Sequence, residues 1–299
     1  MGQLNLSFYR NRNSSVYSCL NKIDSYVMQI LKKTTSDLSN YIPNHIKYFL
    51  NPLKKNLVKD LDFRADDEVL AVNDVFGILT EELSPKVKSV TLIEFSKPIA
   101  DVTANKLSQA DNVEIVVGWM QDIEIEKKFD YIILTDILEF SKMLMGENFS
   151  YNDMILKFKN LLKPNGKLIL NISNQLGIKN WAGACEEHFG KVYGSLQNYS
   201  GVNAKLFSKP ELYELFRQCG FEDIDFYYPI PTHYAPEKVI SDKDVVTKDF
   251  SKCYQNYSLY TPKHFFDERI LMEDIIENGK FYLFVNSFMV IAKNGGYDE

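Results

Sequence analysis

From residue 68 onward, short apolar runs alternate with longer stretches of helical length and periodicity: "EVLAVN", "SVTLIEF", "VEIVVGWM", "FDYIILTDIL" and "GKLILNIS". This alternation predicts an α/β fold with a mostly parallel sheet and helices on both faces. A helix is expected over residues 208–220: Ser208 can cap it, Pro210 suits its first turn, and Leu212, Leu215 and Phe216 share a face before Gly220 ends it. Two more strands follow, "FEDIDFYYPIP" and "NSFMVIAKN". Without an obvious crossover helix between them, the last is expected to insert antiparallel, completing a seven-stranded sheet.

Two regions break the alternation. Residues 1–60 read as a mainly helical segment, and its apolar positions, Val27, Ile30, Leu31, Ile46, Phe49 and Leu50, need a surface to cover them. Residues 61–299 then form the main domain, interrupted at 174–207 and 232–276 by long tyrosine-rich insertions. Insertions of that length are usually functional, and they are expected to cap the carboxyl ends of the strands, where open α/β sheets bind ligands.

A net charge of −6 disfavours broad binding to nucleic acid, which takes a clustered cationic face. The four cysteines, Cys19, Cys185, Cys219 and Cys253, lack the paired spacing of a zinc site or disulfide scaffold, so no metal is expected and a reducing, cytoplasmic setting is. No apolar run is long enough to span a membrane.

The first run continues as "EVLAVNDVFGILTEEL", a strand, a tight turn and the start of a helix over residues 68–83. Nucleotide-binding folds hold their ligand at such a turn, usually on several glycines; here Asn73, Asp74, Val75 and Phe76 precede a single Gly77. Together with "FDYIILTDILEF", "LLKPNGKLILNISNQLGIKNWAG", "EEHFG" and "FSKPELYELFRQCGFEDIDFYYPIP", this stretch makes residues 66–293 resemble a class I S-adenosylmethionine-dependent methyltransferase, a Rossmann-like fold. The stretch 174–231 resembles methyltransferase domains found with glycosyltransferases in bacterial surface-glycan biosynthesis.

The resemblance implies S-adenosyl-L-methionine as cofactor and assigns residues to it. Residues 71–77 would lie beneath its methionine part, with Asn73 or Asp74 bonding its charged ends and Gly77 matching the last loop glycine. Glu94, ending the second strand, would accept both ribose hydroxyls, and Phe95 would pack on the adenine edge. In "GWMQDI", Trp119 or Met120 would face adenine and Asp122 its exocyclic amine. Thr135, Asp136 and Glu139 mark the tip of the fourth strand, where Asp136 is the candidate to orient an acceptor; it could equally cap the following helix. His188, beside Glu186 and Glu187 and followed by Tyr193 and Tyr199, is the candidate base, expected to face Asp136 across the transfer site.

The function implied is methyl transfer to an oxygen or nitrogen of a glycan or small-molecule acceptor, as in flagellar modification, with a glycosyltransferase as possible partner. The lost glycines leave open a non-catalytic methyltransferase-like binding module. Nicotinamide chemistry suffers from the same loss and from the antiparallel last strand.

Overall fold

The computed structural model describes residues 3–10, 49–185, 190–199, 203–254 and 264–295. Nine strands among them form one sheet in the order β1-β4-β3-β2-β5-β6-β9-β7-β8. The seven expected strands are β2 (Glu68–Val72), β3 (Ser89–Glu94), β4 (Val113–Val117), β5 (Phe129–Thr135), β6 (Leu162–Ser173), β7 (Asp223–Ile230) and β9 (Ser287–Lys293). Strands β2 to β6 run parallel, and β9 enters antiparallel between β6 and β7.

The count of seven needs correcting to nine. Gln3–Asn5, inside the stretch read as helical, forms β1 and extends the sheet parallel to β4. Lys238–Ser241, inside the second insertion, forms β8 and pairs antiparallel with β7. Both strands are edge strands of three or four residues, too short to show the period of two by which strands are read. Of the apolar positions expected to pack from the leading segment, Val27, Ile30, Leu31 and Ile46 lie outside the described residues. Phe49 and Leu50 lie within them and pack against Val75, Phe76 and Ile99.

Local signals set the helices that cover the sheet. Ser150 and Asp153 form a reciprocal capping box at helix Tyr151–Lys159, and Ser208 and Glu211 do the same at helix Lys209–Gln218. One face of the sheet, through Leu134, Leu170, Ile172 and Phe288, packs on these two helices in the larger apolar cluster. The other, through Ala71, Ile133, Ile169 and Met289, packs on Leu57, Leu79 and Ala100. Among the described residues no helix is long and apolar enough to cross a membrane.

The second face changes character along the strands. Ile133 and Ile169 are register partners on β5 and β6, and two residues on, toward the carboxyl ends, so are Thr135 and Asn171. Asn171 pairs in turn with Met289, and Ser173 with Ser287. Because side chains alternate faces with period two, these polar residues continue the rows begun by the apolar ones. At the opposite end of the sheet, Lys163, Lys127 and Lys88 converge on Glu68 within 3.1, 3.2 and 3.3 Å and, with Lys163 foremost, hold its carboxyl down to about 2.

Candidate active site

The turn after β2 is closed by its own polar groups. Asn73 adopts φ 61°, a left-handed conformation that Asn tolerates; its amide N donates to Ile93 O at 3.1 Å and its Nδ2 to Thr135 O at 2.9 Å. The side chain thus ties the end of β2 to β5. Asp74 accepts from Leu79 N, Thr80 N and Thr80 Oγ1 at 3.1, 2.7 and 2.9 Å, bonding the first turns of helix Ile78–Leu83. Lys54 Nζ stands 4.0 Å from Asp74 Oδ1, and both side chains are 1% exposed. Within the fold Asp74 thus already has partners: helix amides attract a carboxylate, and a buried lysine balances it.

Phe76 also sits at positive φ, 64°, and is buried with Val75 and Ile99. Gly77 serves close packing: a Cβ there would stand 2.7 Å from Thr103 Cγ2, on helix Lys97–Lys106. No side chain fits that gap.

Beyond this turn, the ends of β3 and β4 form a buried wall. Glu94 is fully buried, its Oε1 accepting Ser96 N at 3.0 Å, and Gly118 N donates to Glu94 O at 3.2 Å. Phe95 and Met120 are buried in one cluster, with Trp119 packed against it. Asp122 N donates to Trp119 O at 2.8 Å. Phe8, just past β1, closes over Gly118, where a Cβ would lie 2.8 Å from its own. The structure brings Glu94, Phe95, Met120 and Asp122 to neighbouring strand ends.

The tip of β5 is built differently. Asp136 has φ 51°, its backbone N donates to Asn171 O at 3.1 Å, and its Oδ1 meets His233 Nε2 at 2.9 Å. His233 is fully buried; its Nδ1 meets Ser287 Oγ at 2.8 Å, and its backbone N donates to the same oxygen at 3.2 Å. Beside an ionised Asp136, Nε2 carries the imidazole proton and Nδ1 accepts from the Ser287 hydroxyl. Tyr234 lies tilted against His233 with ring centroids 4.0 Å apart, and Phe49 meets Tyr234 edge-on at 5.5 Å. Glu139 is fully buried nearby, and burial, followed by the charge of Glu139, pushes the Tyr151 phenol up.

His188, with Glu186 and Glu187, lies outside the described residues, so the expected pairing is not placed; the imidazole that meets Asp136 is His233. Sequence reasoning missed it, although "PIPTHYAP" carries a signal: a histidine between prolines, directly after a strand that ends at the ligand-binding edge. Tyr193 stacks with Phe265 at 6.1 Å, and Tyr199 is buried. Among the described residues no three His, Cys, Asp or Glu side chains group as metal ligands.

Residues at these strand ends fit a nucleoside bearing a charged amino-acid tail. Glu94 supplies a carboxylate, Phe95 and Met120 an apolar wall, and Asn73 Oδ1 is a buried acceptor without a hydrogen-bond partner among the described residues.

Comparison with known proteins agrees with the geometry. Residues 75–170 match the family described as methyltransferase domain, from the turn after β2 into β6. Nodulation protein S of Rhizobium tropici is 22% identical over 112 residues, covering 38% of this chain and 45% of that protein, so the chain spans less than half the length of this curated relative. A chain from the complex between the Haloferax volcanii Trm112 methyltransferase activator and a methyltransferase superposes with a TM-score of 0.55 at 11% identity, covering 94% of this chain and all of that one. Phosphoethanolamine N-methyltransferase 1 of Haemonchus contortus, solved with phosphoethanolamine and S-adenosylhomocysteine, gives 0.51 at 10% identity, over 98% of this chain and 52% of its own. The chain has the Rossmann-like methyltransferase fold, its parallel sheet finished by an antiparallel strand.

Proposed function

We propose that this protein is a methyltransferase that uses S-adenosyl-L-methionine to methylate an oxygen or nitrogen of a glycan or glycan precursor. The methyltransferase domain over residues 75–170 and the methyltransferase fold support an enzyme of this class. One observation carries the reading: Asp136, at the tip of β5, is fixed by His233, which the segment after β7 delivers. When bound, the sulfonium cofactor supplies an activated methyl group and a good leaving group. Glu94 binds the ribose, Phe95 and Met120 flank the adenine with Asp122 near its amine, and Asn73 meets the amino-acid end. Asp136 receives the proton that the acceptor loses, and His233 holds it in place. Bacterial surface glycans as acceptors and a glycosyltransferase partner rest on the resemblance of 174–231, and a cytoplasmic location on the unpaired spacing of the cysteines.

A non-catalytic binding module is the second reading, favoured by the sealed turn at Asp74 and Phe76. Calorimetric titration with S-adenosylmethionine and S-adenosylhomocysteine separates the two. We expect binding, weakened by about 1.5–3 kcal/mol in Glu94→Ala, the range for a hydrogen bond to a charged group. Absence of binding to the folded wild type sinks the enzyme reading; an unchanged Glu94→Ala titration removes Glu94 from the site.

A further inference from the structure

The polar row at the carboxyl end of the sheet holds more than Asp136 and His233 use. Thr135 and Asn171 are direct register partners on β5 and β6, at 1% and 0% exposure. Neither the Thr135 hydroxyl nor either polar atom of the Asn171 carboxamide has a hydrogen-bond partner among the described residues. Each such buried atom costs about 1–3 kcal/mol. Valine, of nearly equal volume to threonine, and leucine, branched like asparagine though larger, would remove that cost, and the same rows carry Ile133 and Ile169 two residues earlier. On the opposite face Leu134, Leu170 and Ile172 stay apolar to the strand ends. A fold that tolerates apolar residues on both sides of a position gains no stability from an orphan amide there; a ligand that completes its hydrogen bonds accounts for it.

We infer that Thr135 and Asn171 form the floor of the acceptor subsite and bind a neutral group that both donates and accepts hydrogen bonds, a sugar hydroxyl or an acetamido group. The inference rests on the methyl-transfer reading and names its substrate chemistry. A carboxamide and a hydroxyl each offer donor and acceptor and carry no charge, so a hydroxyl or amide satisfies them fully, whereas an ammonium leaves the donors unmet and a phosphate the acceptors. The position suits the role: Asp136 follows Thr135 in the chain, and its backbone N donates to Asn171 O. The subsite therefore holds an acceptor beside the carboxylate.

The test uses the full chain with Thr135→Val and Asn171→Leu, singly and combined. Each protein is titrated with S-adenosylhomocysteine. Loaded with that compound, it is then probed by saturation-transfer NMR with N-acetylglucosamine and glucose, and with ethanolamine and inorganic phosphate as contrasts. We expect melting temperatures at or above that of the wild type, unchanged S-adenosylhomocysteine affinity, and sugar binding weakened about tenfold per variant. The inference is overturned if both single variants melt lower, if sugar binding survives the double substitution, or if the wild type prefers ethanolamine or phosphate or binds no sugar. Failure of S-adenosylhomocysteine to bind, with sugar binding present and lost in the variants, would overturn methyl transfer and leave the sugar site standing.

Discussion

Strands β2 and β5 lie side by side, and each ends in a turn with a left-handed Asn or Asp and a buried aspartate. Their fates differ. Asp74 is satisfied by amides five and six residues along its own chain and by a buried lysine, so its charge belongs to the fold. Asp136 takes its hydrogen bond from a side chain 97 residues away, delivered by the segment after β7. A carboxylate consumed locally stiffens a turn; one held by a sequence-distant element reports on how those elements are assembled. Position at a strand tip does not decide the role, and the source of the partners does.

Substituting the two aspartates gives the widest separation. Asp74→Ala strands Lys54 as a buried charge and strips the helix of its acceptor, so urea unfolding should show a loss of about 3–5 kcal/mol. Asp136→Ala leaves the buried His233 Nε2 without its partner, so it should cost a smaller amount in urea, about 1–3 kcal/mol, and should slow transfer to a hydroxyl acceptor about 100- to 10,000-fold. The distinction collapses if Asp136→Ala unfolds as readily as Asp74→Ala. Next in size, His233→Phe keeps a ring but removes both nitrogens; losing a hydrogen bond to a charged group, about 1.5–3 kcal/mol, should appear in kcat more than in KM. An equal rise in KM alone would make His233 a binding residue.

The smallest effect tests the other end of the sheet. Glu68, whose lysine partners hold its carboxyl near 2 against an ordinary 4.5, contributes stability that is complete above pH 4.5 and fades as pH falls toward 2. Glu68→Gln should remove about 1 kcal/mol at neutral pH and flatten the acid side of the stability curve, without moving cofactor affinity. A variant with the acid profile of the wild type would show that other carboxylates govern it.

The sheet was legible because β2 to β6 are near-continuous apolar runs bounded by turns, a pattern that burial on both faces imposes. The places of Glu94 and Asp136, at the points where such runs stop, were legible too. His233 was not: its meeting with Asp136 depends on how the chain after β7 folds back, which local periodicity does not encode. The partners of Asp74 were hidden for a related reason, since they include Lys54, brought in by a separate segment. One signal lay in plain view: in "KLILNIS", Asn171 and Ser173 recur at the period of a strand, so one face of β6 turns polar while Leu170 and Ile172 keep the other apolar.

The place of β9 has a consequence for how the molecule comes into being. Among the described strands it is last in the chain, yet it fills the gap between β6 and β7, and its first residue, Ser287, is the one that meets His233. During synthesis β7 and β8 emerge before the neighbour that joins them to the sheet, so they wait as a detached hairpin with exposed edges. Pairings of such long sequence separation form slowly. Catalytic competence should therefore arrive with the final folding step, when β9 slots in and His233 is locked against Asp136 in the same event.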